Sequence, residues 1–555
     1  VTDDIIKDKK ALVNTVFAFI SLIYGYAFIR NVLFTELGTG MTAFVLLYIA
    51  GGAVFMRLHN VKINVAGFFT PVLMLAFSAV FILSSSAEMR ILTLCLEIIM
   101  AAYWFFSAFG CREEDKIGDL LCFDLIKTIV VMPFSSFLAQ PCFTVSALKR
   151  TKFGRSLLYI IIGVAFAIIP ALVIIGLLTS ADDAFSNLVN LITDSFVWSI
   201  AANLVYFIIG LPVAMYIFGL MLSTSLNKNK GLMTRKTCFE ASATVGFMPP
   251  LAVYTALSVI LLIYVLFFAA QSSYFLSPFA SLKPAGYSFA DYARKGFFEL
   301  CRVAAINGVL VVFSSLFIRR IPKPVKQSVQ PDSNTSITFG EPQAVTAEQT
   351  KIVEVLQPQA DIAIKPLTSL RIFTVLMCVF TLFLIATAAA KLFMYIDSFG
   401  LTLTRVNAAW FMTLLAAVFV LLIIRQAAPK FNFWRAATIA FIALFAVLAF
   451  SNADALVARY NTDRFYSGSL PDVDVELFYS LSDTALPELV ELLDRDEASG
   501  YTLLDEDTRD RAQKCLDYKL DNIKAIKDRV NTLTERINYA LGYNMSRQVM
   551  SDLFN

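Results

Sequence analysis

Residues 157–178 read LLYIIIGVAFAIIPALVIIGLL, an apolar run without one charged side chain. At 1.5 Å per residue such a run covers the roughly 30 Å hydrocarbon core of a bilayer, so a membrane-spanning helix is expected here. Its flanks differ in kind. Lys149, Arg150, Lys152 and Arg155 precede it, whereas residues 179–199 hold no lysine or arginine. Cations accumulate on cytoplasmic loops, so this span starts at the inner face and ends at the outer one.

The same pattern repeats along the chain. Apolar windows predict spans near 11–29, 41–56, 65–83, 91–109, 157–178, 200–222, 251–270, 298–318, 372–395, 406–424 and 436–450. With the amino terminus cytoplasmic, the inner segments collect about 26 lysines and arginines and the outer segments before the tail about eight, the bias the positive-inside rule demands. Composition agrees: in 555 residues, 58% hydrophobic and 13% aromatic content with a mean hydropathy of +0.69 is more apolar surface than one soluble core can hide. The Lys-rich opening and the lack of a small-residue cleavage site make the first span a retained helix rather than a signal peptide.

The expected fold class is therefore all-α, a polytopic helical membrane protein of about 11 transmembrane helices with a small helical carboxyl-terminal soluble domain. Residues 1–318 form a bundle of about eight helices, interrupted near 111–155 by amphipathic helices at the inner interface or a re-entrant hairpin broken at Pro133 and Pro141. Residues 319–370, rich in Pro, Gln, Ser and Thr, read as a disordered cytosolic linker. Three further spans fill 371–451, and residues 452–555 form an acidic helical tail with roughly 12 Lys+Arg against 20 Asp+Glu. An odd number of spans puts that tail outside the cytoplasm. In it, Leu486, Leu489, Val490 and Leu493 make one short apolar face. Ala512, Leu516, Leu520, Ile523, Ile526, Val530, Leu533, Ile537 and Leu541 recur at three- and four-residue spacing through a longer helix, which packs in a small bundle or against a partner protein.

No motif for catalysis, metal or nucleotide binding is present. Eight scattered cysteines give neither a disulfide framework nor zinc spacing, and His59 alone cannot build a histidine-rich site. No cofactor and no nucleic-acid partner is implied. The partner certain from composition is the lipid bilayer. Asn14, Asn203 and Asn307 are expected to make interhelical hydrogen bonds, and Pro170 and Pro212 to kink their spans.

Glu97 is the sharpest candidate inside the membrane. An ionisable group within a span costs about 2.5 to 3.5 kcal/mol on insertion scales, so it faces protein or water and points to an ion or proton path, against the bland reading of a protonated or snorkelling side chain. Outside, three polar segments emerge on one face: FADYARKGFFELCR at 289–302, with Asp291, Arg294, Glu299 and Arg302; YIDSFGLTLTR at 395–405, ending in Arg405; and NADALVARYNTDRF at 452–465, with Arg459, Asn461, Asp463 and Arg464. A shared polar site built from them is expected, with helix-end pinning as the competing explanation.

These three runs, with LSDTALPEL at 481–489, resemble the bacterial membrane proteins grouped as domains of unknown function 4153 and 4173. The resemblance covers most of the chain from the fifth span onward. It implies a bacterial cytoplasmic-membrane protein with many helices, a disordered middle linker and a helical tail, and no particular activity. Three function classes fit. One is a non-enzymatic transporter-like carrier or envelope sensor or scaffold. The alternative is a membrane enzyme acting on a lipid-linked substrate at the outer leaflet, with Asp291, Glu299 or Asp463 as acid or base. The third is a subunit docking another protein through the tail helix that begins near Thr508.

Overall fold

A computed structural model describes residues 2–34, 37–112, 117–182, 185, 198–227, 248–276, 297–318, 368–501 and 503–528. Among these residues the chain is all-helical, with no strand beyond an isolated bridge between Met248 and Ile318. Hydrocarbon offers no water to backbone N–H and C=O groups, and helices satisfy them within one segment.

Ten segments of the described residues are long and apolar enough to cross a membrane, and nine of them lie on spans read from the sequence. Helices α1 (Thr2–Ile29), α2 (Thr39–Leu58), α3 (Val65–Ser78) with its short continuation α4 (Val80–Leu83), and α5 (Ala87–Ala108) make the first four crossings. After the segment Leu121–Arg150 come α9 (Lys152–Ala181), α10 (Trp198–Ser225), α11 (Pro250–Leu276) and α12 (Phe297–Phe317). Then follow α13 (Thr368–Phe399), α14 (Leu403–Ala427) and α15 (Phe433–Phe450). The expected spans at 157–178 and 298–318 fall on α9 and α12, which at 30 and 21 residues are long enough to cross. The linker expected at 319–370 lies almost wholly outside the described residues.

The tenth apolar segment, Leu121–Arg150, is not one straight helix. It runs as α6 (Leu121–Ile126), a π-turn (Lys127–Val131), α7 (Met132–Ser135), a turn, and α8 (Ala139–Arg150). Proline explains the first break. Pro133 has no N–H to give the carbonyl four residues earlier, and that carbonyl, of Ile129, accepts the Tyr216 hydroxyl of α10 instead at 2.8 Å.

The packing of α1 on α10 shows that this segment turns back. Tyr26 donates to Asn203 Oδ1 at 2.5 Å, while Phe17, earlier on α1, clusters with Ile217, Phe218 and Met221, later on α10. The two helices are therefore antiparallel. If Leu121–Arg150 crossed once, α10 would be the seventh crossing and would run parallel to α1; with a return on the same face it is the sixth. Both limbs also touch the last third of α10: Ser135 Oγ lies 2.9 Å from Ser223 Oγ, and the Phe143 ring 5.6 Å from that of Phe218. Both sequence alternatives, helices at the interface and a re-entrant hairpin, return the chain to one face, and the geometry rules out only the single crossing.

The last three crossings are sewn to the first half at both ends. Asn407, at the start of α14, reaches Glu88 at the start of α5 at 3.4 Å, while Arg425, near its end, pairs with Asp119 beyond α5 at 3.0 Å. Between them Trp410 donates to Leu444 O at 2.9 Å, and the Phe77 ring of α3 stands 5.7 Å from Phe445. Helix α15 thus ends on the face opposite the first residues of the chain. There the tail begins, as α16 (Ala453–Tyr466), α17 (Val475–Ser480), α18 (Leu486–Ala498) and α19 (Glu506–Asp528). Its apolar face is built on Leu486, Leu489 and Leu492, and these buried side chains are continuous with Leu300, Leu384 and Met412 of the bundle. The expected helix positions from Val530 to Leu541 lie outside the described residues.

Of the expected interhelical asparagines, Asn203 binds Tyr26, and Asn307 accepts from Tyr264 at 2.5 Å and donates to Thr381 at 2.9 Å, joining α11, α12 and α13. Asn14 Oδ1 is buried without a hydrogen-bond partner. One close helix approach needs no polar group at all. A methyl group at Gly25 would run into the carbonyl of Gly210, so backbone meets backbone there, the packing that small residues permit in lipid. Replacing either glycine by leucine is expected to push α1 off α10, at more than the roughly 1–3 kcal/mol of ordinary core overpacking. Melting of the purified variants in detergent checks this, and a wild-type melting temperature would contradict the assigned pairing.

Candidate functional site

The structure brings the second and third polar segments together and uses them to fasten the tail. Asn461, buried on α16, accepts the Leu401 N–H at 2.6 Å and returns a hydrogen bond to the Leu401 carbonyl at 2.8 Å. This pair closes the turn between α13 and α14, where Gly400 stands at φ +74, and a Cβ at residue 400 would strike the Asn461 amide. Arg464 pairs with Asp397 at 2.7 Å and donates to the Tyr460 hydroxyl at 3.1 Å. Arg405 caps the carbonyls of Phe399 and Gly400 with its guanidinium lying 4.2 Å from the Tyr395 ring centroid. Arg459 and Asp463 form a loose exposed pair at 3.8 Å, of the kind worth under about 1 kcal/mol.

The first segment joins only in part. Asp291 and Arg294 lie outside the described residues. Glu299 and Arg302 sit exposed in the first turns of α12, and the charge of Glu299 acts on Lys391 of α13. Sequence reasoning missed Asp454, whose buried carboxylate accepts the Ser482 N–H at 2.8 Å and so anchors the LSDTALPEL run. It also missed Lys519, which turns inward and donates to Leu481 O at 2.6 Å. Cys515, the one tail cysteine, is fully buried.

Glu97 is placed differently from all of these. It occupies the middle of α5, about 15 Å from either end, too deep for a glutamate to reach an interface. Its side chain is 3% exposed, and neither carboxylate oxygen has a hydrogen-bond partner. Thr93, one turn earlier on the same face, is buried with its hydroxyl equally unpartnered. Arg90, two turns away, is committed to the carbonyls of Leu37 and Ser85 at 3.0 and 3.1 Å. An uncompensated carboxylate in such surroundings is costly, so a proton or a cation must accompany it. Among the described residues no cluster of histidine, cysteine or acidic side chains could hold a metal ion.

A family model, described as domain of unknown function 4153, matches residues 69–329 and 363–492. The chain belongs to that family. The matched residues contain Glu97, the hairpin, the Leu401–Asn461 fastening and the LSDTALPEL run, and end within α18. The family so shown is the first of the two that the motifs resemble. No curated protein and no solved structure matches the chain.

Two outcomes follow for the fastening. Asn461→Ala leaves the Leu401 N–H and C=O buried without partners, at about 1–3 kcal/mol for each group. The variant is expected to release the tail to limited proteolysis while the bundle stays folded, and Gly400→Ala to do the same; protection equal to wild type would contradict the assignment. Asp496, 1% exposed, ties α18 to α19 through Arg509 Nε and the Leu503 and Leu504 amides. Burial pushes its carboxyl up, but the bonds from Arg509 and the two amides outweigh this and hold it below the usual carboxylate range. Its stabilisation is thus complete above the unfolded value near 3.9 and lost as pH falls through the lower folded value. Asp496→Asn is expected to lower the tail's melting temperature at neutral pH and to flatten its fall on acidification, read by thermal melts across pH.

Proposed function

We propose that this chain is a non-enzymatic, carrier-like protein of the bacterial cytoplasmic membrane, with its amino terminus inside, its tail outside, and Glu97 as its ion- or proton-handling group. The single observation that carries the reading is the Glu97 carboxylate, sequestered at mid-bundle with both oxygens unpartnered. A purely structural acid would be expected to bond to a neighbour, as Asp454 and Asp496 do. The sidedness rests on the distribution of lysine and arginine along the loops.

An outer-leaflet enzyme has less support. Asp397 and Asp463 each face an arginine, Glu299 shares its field with Lys391, and the segment carrying Asp291 offers no described geometry.

The test reads ion binding directly. In the purified full-length protein, sodium or a lowered pH is expected to raise the melting temperature, by an amount that grows with the logarithm of ligand concentration. Glu97→Gln should abolish that response without changing expression or gel-filtration behaviour. A wild type indifferent to both, or a Glu97→Gln variant with an unaltered response, removes Glu97 from the function. Sidedness is checked with Asp472→Cys, an exposed tail position, in a cysteine-free background: a membrane-impermeant maleimide is expected to label it in intact cells with a permeabilised outer layer.

A further inference from the structure

The returning hairpin carries a second set of buried polar groups without partners, unlike Glu97 in chemistry. Lys127, at the first position of the π-turn, is 1% exposed and its ammonium hydrogen-bonds to nothing, Asp124 one turn earlier included. Thr128, next to it, is fully buried with a free hydroxyl. The Tyr103 hydroxyl, on α5, is likewise buried, with the Arg112 side chain near enough to hydrogen-bond to it. Two of the three lie about one ring: Lys127 Nζ is 5.8 Å from the Phe106 centroid, and the Tyr103 ring 6.3 Å from it. Arg112 and Asp124 are close enough for their charges to act on Tyr103.

We propose that this cradle binds an oxyanion of the phosphate class. A buried ammonium with no hydrogen-bonded counter-charge is costly, as a buried carboxylate is, and the hydroxyl of Thr128 beside it can donate to an anion. Lysine binds phosphate as a point charge, needing no planar fork, and three separate donors suit a group with several acceptor oxygens. π-turns within helices concentrate at functional positions, and broken helices place such groups where a ligand can reach them. The hairpin returns to the face where the sequence places the excess of lysine and arginine, and basic pockets between helices on that face take phospholipid head groups. The same chemistry would serve a free phosphate or phosphate ester. Nothing in this proposal depends on Glu97.

The experiment uses the full-length protein, stripped of native lipid in a zwitterionic detergent, with two probes. Inorganic phosphate is titrated against chloride at constant ionic strength, and separately the protein is placed in phosphatidylcholine nanodiscs with and without phosphatidylglycerol. Melting temperature is the readout in both. Saturable stabilisation by inorganic phosphate identifies a soluble ligand, and stabilisation by phosphatidylglycerol alone identifies a head group. In the responding arm Lys127→Met is expected to weaken half-saturation by about ten-fold or more, and Tyr103→Phe and Thr128→Val by several-fold. Should Lys127→Met fail to fold, the two single-hydroxyl variants decide. A wild type that gains stability in neither arm, or hydroxyl variants that gain as much as wild type at the same half-saturation, overturns the proposal.

Discussion

The contact of Gly25 with Gly210 holds α1 against α10 at backbone distance, and the sidedness of the whole chain follows from the direction in which those two helices run. Because they are antiparallel, the apolar segment between α5 and α9 has to return to the face it left. Length and hydropathy alone would have counted Leu121–Arg150 as a crossing. Had it crossed, every later helix would be inverted, and the tail would share a face with the first residues. Instead the links from Asn407 to Glu88 and from Arg425 to Asp119 put α14 parallel to α5, in agreement with that return. Small residues matter here for a physical reason: lipid supplies no hydrophobic force between helices, so close van der Waals approach must.

Buried polar groups in this bundle fall into two kinds. Tyr264, Asn307 and Thr381 satisfy one another across three helices, Tyr26 and Asn203 across two, and Arg90 closes on main-chain carbonyls. These bonds hold helices in register, and their side chains are spent in doing so. Glu97 with Thr93, and Lys127 with Thr128, are as deeply placed and bonded to nothing; the Asn14 and Ser85 side-chain oxygens share that condition, but Glu97 and Lys127 are ionisable. The cost of an unmet buried charge is large, so each of these two groups is either neutral through its protonation state or met by a counter-ion. That contrast within one molecule is the basis for reading the two places as working sites.

How much of this was legible in the sequence depends on the range of the interaction. Spans need only length and apolarity, so nine of the ten apolar segments were placed to within a few residues, and the eleven expected spans all fall on helices. The break was visible as prolines in an apolar run, although that the segment returns rather than crosses required the α1–α10 pairing. The tail's fastening was legible only as a concentration of polar residues. That Asn461 would answer to the main chain of Leu401, sixty residues away, depends on a turn whose form is set by Gly400. Charge alone reads too simply, because a lysine's exposure is not written in its neighbours: Lys127 and Lys519 both turn inward. Glu97 is legible as a candidate, but its depth is not, since helix α5 begins earlier than the hydropathy window and puts it at the middle.

Glu97 and Lys127 do not neutralise each other. Lys127 sits beside Phe106, nine residues along α5 from Glu97, which is about 13 Å of helix axis. Opposite unit charges at that separation attract by only about 1 kcal/mol at an effective dielectric constant near 20, far less than the desolvation cost of either. Each is therefore neutralised separately, by its protonation state or by its own counter-ion, and what occupies one place alters the other by a factor of a few, not by orders of magnitude. A cation or proton at mid-bundle and an oxyanion at the hairpin would then bind almost independently in any one conformation. Strong coupling between them would have to come from movement of the broken segment. Its π-turn carries Lys127 and Thr128, and its polar ties to α10 include the Tyr216–Ile129 and Ser135–Ser223 contacts.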